Sequence, residues 1–111
     1  MMKRFTISTI TIMVLLLAVT VFAAPTNSAW DGSVYQVEDW CNKYLKDPDS
    51  RSDIDWYAVT FNAETGYMCR YQFRSKNGFG GYTTNDYYFF MDTNSPHKVY
   101  TVMERDGTII F

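Results

Sequence analysis

Residues 67–74 read Tyr67-Met68-Cys69-Arg70-Tyr71-Gln72-Phe73-Arg74. Tyr67, Cys69, Tyr71 and Phe73 alternate with Met68, Arg70, Gln72 and Arg74, the period-two pattern of a strand with one apolar face and one charged face. A strand of this kind belongs to an antiparallel sheet that is covered on one side.

Reading outward, Ile54–Phe61 has the same period and predicts a strand, joined to the first by the hairpin loop Asn62-Ala63-Glu64-Thr65-Gly66. Asn77-Gly78-Phe79-Gly80-Gly81 turns the chain into a third long strand, Tyr82–Met91, which Asp92-Thr93-Asn94-Ser95-Pro96 breaks. Lys98–Glu104 and Thr108–Phe111 then predict a short hairpin around Asp106-Gly107, a dipeptide suited to a tight two-residue turn. The cover for the sheet comes from upstream. Ser33 and Gln36 have the spacing of a capping box, Val34, Val37, Cys41, Tyr44 and Leu45 recur at helical spacing, and Pro48 stops the helix near Lys46 or Asp47. The expected fold is α+β: one N-terminal helix packed on a four- to five-stranded antiparallel meander sheet.

The start of the chain sets the compartment. Lys3 and Arg4 precede an apolar run from Ile10 to Phe22, with Val21 and Ala23 as small residues at a cleavage site. Residues 1–23 therefore read as a cleaved signal peptide, and 24–111 as a single small domain with Ala24 as its first residue. The apolar run is shorter than the roughly 20 residues that span a bilayer, and Thr6, Ser8, Thr9 and Thr11 dilute its front, so no stable membrane anchor is expected. Removing 23 of the 111 residues leaves 88. Without Lys3 and Arg4 the ten basic residues become eight against twelve acidic ones, a net charge of −4. An acidic exported domain is a poor partner for nucleic acid.

Export also bears on Cys41 and Cys69, the only cysteines. In an oxidising compartment an even pair reads as one disulfide, here tying the helix stripe to the apolar sheet face. Such a bond would stabilise the fold by about 3.5 kcal/mol in the chain-entropy model.

Leu45-Lys46-Asp47-Pro48-Asp49-Ser50, Trp56, and the block Arg70–Tyr82 together resemble a family of small exported bacterial proteins of uncharacterised function, whose members share an L-K-D-P-D-S helix end and an R-x-K-N-x-F-G-G-Y hairpin. The likeness covers residues 45–92 and omits both cysteines. It implies a bacterial protein of the periplasm or the extracellular space, and it implies no activity.

The residues expected to bind lie on the hairpin block. Arg70, Arg74 and Lys76 share the outer face of one strand, and Phe79 and Tyr82 flank a glycine-rich bend whose amides are free to approach an anion. Tyr87-Tyr88-Phe89-Phe90-Met91 must point to both sheet faces, and one helix covers only one of them. Either the sheet curls over itself or Tyr87 and Phe89 belong to an aromatic surface for a partner or a homodimer. Catalytic patterns are scarce. His97 follows Pro96 and reads as a surface loop residue. Asp47, Asp49, Asp53 and Asp55 fail as a calcium loop because Arg51, Ser52 and Ala58 stand where a ligand, a glycine and a bidentate carboxylate are needed, and they read as a solvated helix-to-strand connection. No residue pattern implies a metal or cofactor. Two functions remain: a non-enzymatic binding module for an envelope protein or cell-wall glycan, and a small hydrolase of envelope polymers using carboxylates, for which the sequence selects no pair, Glu64 and Glu104 being one example of distant acids.

Overall fold

The computed structural model describes residues 23–111, so the leader expected over residues 1–23 lies, but for Ala23, outside the described residues. The 67–74 alternation is the middle of the central strand. Cys69, Tyr71, Phe73 and Ser75 are buried along it and Arg74 is exposed. We number the elements in chain order: helix α1 (Tyr35–Tyr44) and strands β1 (Asp47–Trp56), β2 (Thr60–Asn62), β3 (Gly66–Lys76), β4 (Tyr82–Met91) and β5 (Val99–Glu104). All pairings are antiparallel, in the order β1-β3-β4-β5 with β2 beside β3. The β3–β4 register runs unbroken from Tyr67↔Met91 to Lys76↔Tyr82. The expected α+β architecture of a helix on an antiparallel sheet is what the chain forms.

The helix differs at both ends from its expected form. Val34 occupies the N-cap with no side-chain bond. The Ser33 amide donates to Asp31 Oδ1 at 3.0 Å and the Gln36 side-chain amide donates to the Ala23 carbonyl at 3.3 Å, so the capping-box partners are used elsewhere. Leu45 turns extended after donating to the Cys41 carbonyl, and the helix ends short of Lys46. Residues 23–34 precede it, so it is not N-terminal.

The stretch expected as a solvated connection, Asp47–Asp53, is strand. Pro48 is tolerated because β1 is an edge strand. Its register jumps from Asp47↔Lys76 to Ser52↔Arg74, which leaves extra residues bulging from β1. Ser50 closes the bulge: its hydroxyl donates to the Asp47 carbonyl at 2.7 Å and accepts the Lys76 amide at 2.8 Å. The expected single strand 54–61 is interrupted at residues 57–59, where Asn27 takes over. Its side chain donates to the carbonyls of Gly32 and Tyr57 at 2.8 and 3.0 Å and accepts the Val59 amide at 2.8 Å, which fastens the lead-in to the break between β1 and β2.

Val34, Val37, Trp40 and Cys41 of the helix side pack on Cys69, Tyr71, Phe73, Phe89, Met91 and Val102. Trp56 stacks on Tyr71 at 3.6 Å between ring centroids, and Tyr71 lies over Phe73 at 4.7 Å. Both cysteines are in this core, but they are free thiols. The expected disulfide is therefore corrected. The backbone of α1 lies closest to the flanking strands β1 and β5, while Cys69 sits on the central β3. Cys41 shares its surroundings with Arg51, Glu38 and Asp53, whereas the Cys69 thiol faces the carbonyls of Tyr57 and Arg70 at 3.7 and 3.6 Å.

Helix and sheet are joined instead through Arg51. Its Nη1 donates to the Tyr71 hydroxyl at 2.6 Å and lies 3.3 Å from Asp53 Oδ1, and its Nη2 lies 3.4 Å from Glu38 Oε2 on the helix. The Tyr71 hydroxyl in turn donates to Asp53 Oδ1, and Trp56 Nε1 donates to Asp53 Oδ2 at 3.1 Å. One side chain of β1 thus contacts α1, its own strand and β3.

At the far edge, residues 108–111 return along β5 through Thr108–Glu104 and Ile110–Val102 backbone bonds and a Met103↔Ile109 bridge. The loop has three residues, Arg105–Gly107, rather than two, with Gly107 at φ +95° in the left-handed region. His97, expected at the surface, is buried: its Nδ1 meets the Asp92 carbonyl at 2.9 Å and its ring stands edge-on to Tyr67 at 5.5 Å. The 92–98 loop folds inward because the Asp92 amide donates to the Lys98 carbonyl.

Arg51→Ala leaves Glu38, Asp53 and the Tyr71 hydroxyl without their shared cation, and is expected to lower stability by about 2–4 kcal/mol in denaturant unfolding. A loss below about 0.5 kcal/mol would show that the network is a dispensable surface pair. Burial pushes both thiols up to about 12. Native protein at pH 8 is therefore expected to resist alkylation at Cys41 and Cys69 until it unfolds, with mass spectrometry counting the modified sites.

Candidate binding surface on the open face of the sheet

The face of the sheet turned away from α1 carries the even-numbered side chains of β3 and β4, a direct result of their unbroken period-two register. On it the structure divides the three cations expected to act together. Arg70 is engaged. Its Nε and Nη2 donate to the two carboxylate oxygens of Asp86 at 2.9 and 2.8 Å, a bidentate fork. Gln72 Nε2 adds a bond to Asp86 Oδ2 at 3.0 Å, and Arg105 Nη1 approaches it at 3.5 Å. The Arg70 guanidinium also lies 4.3 Å from the Tyr57 ring centroid and 5.8 Å from that of Tyr88. These contacts raise the Arg70 pKa, first through the Asp86 bond, and the same bond holds the Asp86 carboxyl down at about 2.

Arg74 and Lys76 are placed differently. Both lie over the half-exposed ring of Tyr82, with the Arg74 guanidinium 5.0 Å and the Lys76 ammonium 5.6 Å from its centroid. Neither forms an ion pair among the described residues. Asp47 stands opposite Lys76 in the β1–β3 register without closing one. The result is an aromatic ring with two cations over it that form no ion pair among the described residues, where an acidic group can be bound without first breaking an internal pair.

The bend beyond this pair does not offer its amides as the sequence reading expected. The Asn77 side-chain oxygen accepts the amides of Phe79 and Gly81 at 2.9 and 3.2 Å, and the Asn77 carbonyl accepts that of Gly80 at 3.1 Å. Phe79 projects from this closed turn and is 99% exposed. Gly80 takes φ +81°, which a side chain would strain.

The aromatic run of β4 divides between the faces. Phe89 is fully buried and Tyr87 half-buried on the helix side, with Phe73 edge-on to Tyr87 at 5.6 Å. Both of these candidate binding residues therefore pack in the core. Tyr88 and Phe90 face the open side, where Arg70 and Tyr100 partly cover them. Over Tyr87–Met91 the backbone of β4 is paired on both sides, to β3 and β5, so only side chains of this run are open to another molecule.

Glu64 and Glu104 are not brought together. Glu64 lies in the loop before β3, and Glu104 pairs with Tyr87 four residues along β4 from Met91, the partner of Tyr67. Among the described residues, no group of three or more His, Cys, Asp or Glu side chains is placed to hold a metal ion, and no helix is long and apolar enough to cross a membrane. Asp86 was missed from sequence although a signal existed: it is the only acid in β4, and a charge there falls cross-strand from Gln72 and diagonal to Arg70.

Compared with protein-family models, with curated proteins and with solved structures, the chain matches none of them.

Because the Asp86 carboxyl is held well below its ordinary value of 3.8, its pairing with Arg70 contributes stability that is fully present above about pH 4 and is lost as the pH falls towards 2. The stability difference between the native chain and Asp86→Asn is expected to shrink across that window in urea melts. A constant difference would mean that the carboxylate charge plays no part.

Proposed function

We propose that the chain is an exported, non-enzymatic binding module that takes an acidic glycan of the cell envelope on the open face of its sheet. The observation that carries this reading is the ring of Tyr82 with Arg74 and Lys76 over it, two cations that form no ion pair among the described residues, on a face where Arg70 is already neutralised by Asp86. A sugar ring presents C–H groups to an aromatic face and a carboxylate or phosphate to flanking cations, so one acidic saccharide unit satisfies all three side chains. Phe79 at the tip adds exposed apolar area beside the pair. Export, with cleavage before Ala24, belongs to this reading and rests on the leader composition and on the resemblance to small exported bacterial proteins.

The domain as a whole is acidic, so attraction to a polyanion must be local and screened by salt over about 10 Å at 0.1 M. Immobilised alginate, an acidic polysaccharide, serves as the probe. Retention of the protein on immobilised alginate is expected at low salt, to fall with rising salt, and to be lost in the Arg74→Gln/Lys76→Gln double variant. Equal retention of the double variant would reject the site. Capture of an envelope protein with no alginate retention would replace the glycan by a protein partner.

A further inference from the structure

The helix has an outward side whose contact with the core runs through Trp40. Tyr35, Asp39 and Lys43 form one row at four-residue spacing, and Gln36, Trp40 and Tyr44 form the next. Pro96, Lys98 and Val99 stand across from them and close a groove of about 240 Å³. That is below the roughly 300–1,000 Å³ of pockets for drug-sized ligands, and suits one small ring.

Its walls have a specific chemistry. Tyr44 is 55% exposed, yet it is fixed from behind: its ring lies 5.4 Å from Trp40 and 4.8 Å from Phe111, and Trp40 is itself held edge-on by Phe89 at 5.3 Å. A platform held in place by neighbouring rings loses little freedom when a ligand stacks on it. Tyr35 offers a second exposed ring at the other end of the groove. The charges are unequal. Asp39 and Lys43 pair with each other at 3.6 Å, while Lys98 forms no ion pair among the described residues, so the groove carries one spare positive charge. Asp39 retains acceptor capacity for hydroxyls.

The geometry points to a binding site for a single sugar acid, a hydroxylated ring with one carboxylate, stacked on Tyr44, with its hydroxyls towards Asp39 and its carboxylate towards Lys98. A neutral sugar leaves Lys98 unused, and a simple carboxylate leaves the rings unused. The site is on the helix side of the sheet and goes beyond the open-face reading, on which it does not depend.

The test is a titration of the full-length protein with glucuronate, glucose and acetate, followed by tryptophan fluorescence and aromatic proton NMR. Saturable glucuronate binding is expected, tighter than that of glucose or acetate. Tyr44→Ala is expected to weaken it about fivefold, and Lys98→Gln about threefold to fivefold, with circular dichroism showing that both variants fold. The Arg74→Gln/Lys76→Gln variant is expected to bind glucuronate unchanged, which separates this site from the open face. Absence of saturable binding, equal binding of glucose, survival of full affinity in both groove variants, or loss of affinity in the open-face variant would each overturn the assignment.

Discussion

Arg51 is the point at which helix, edge strand and central strand meet, and the arrangement of the domain follows from that meeting. The sheet must bury Cys69, Tyr71 and Phe73 of its central strand, but the helix that covers them lies closest to the flanking strands. Apolar packing alone is non-directional and does not specify how the helix is oriented over the sheet. The guanidinium supplies direction by contacting Glu38 on the helix, Asp53 on the edge and the Tyr71 hydroxyl on the central strand. Burial, with the bond donated to Asp53, pushes the Tyr71 phenol well above its ordinary value, so it stays a neutral donor within the network. The arrangement is not free of cost: the Nε atoms of Arg51 and Trp40 are buried without acceptors among the described residues, each a penalty of about 1–3 kcal/mol.

The covered face determines what the other face can do. Once the odd-numbered side chains of β3 point into the core, the even-numbered ones must share an uncovered surface with those of β4. Along that surface the sequence places one acid, Asp86, opposite Gln72 and within reach of Arg70, and the fork it forms removes one cation from circulation. Arg74 and Lys76 lie further along β3, opposite the threonines and tyrosine of the β4 start, where no acid is available on that strand. Their freedom is a consequence of register.

The hairpin of β3 and β4 was legible because alternation over the eight residues 67–74 and a glycine-rich bend leave little choice of register. Helix α1 was legible as an element but not in its capping, since the Ser33 amide is taken by the Asp31 carboxylate and the Gln36 side chain by the distant Ala23 carbonyl. The run Asp47–Asp53 was illegible as strand because Asp, Pro and Ser are poor strand formers. It is extended because β3 has an open edge and Ser50 can satisfy the bulge, both facts of tertiary context. The disulfide expectation failed for a related reason: compartment chemistry says whether two thiols can be oxidised, not whether a helix will set them side by side. His97 was read as a surface residue, and Asn27 was passed over, because each acts on backbone groups or rings distant in sequence. At the candidate site, Arg74, Lys76 and Tyr82 could be grouped from strand parity, but Arg70 could be separated from them only once Asp86 was placed opposite Gln72.

Net charge was the weakest guide, and the structure explains why. Residues 24–111 carry a net −4, yet their acids are largely committed to structure. Asp31, Asp92 and Asp106 each accept the amide two residues on and so shape loops. Glu38 and Asp53 hold Arg51, and Asp86 holds Arg70. Asp47, Asp49, Asp53 and Asp55 lie along the edge strand β1, where repeated charge discourages pairing with another chain. An acid bound in a turn or facing an edge contributes little potential at a distant face once salt screens it. The cations without an ion pair among the described residues, Arg74 and Lys76 on the open face and Lys98 by the helix groove, therefore set the local chemistry of their surroundings, and an acidic domain can present basic contact points on both sides of its sheet.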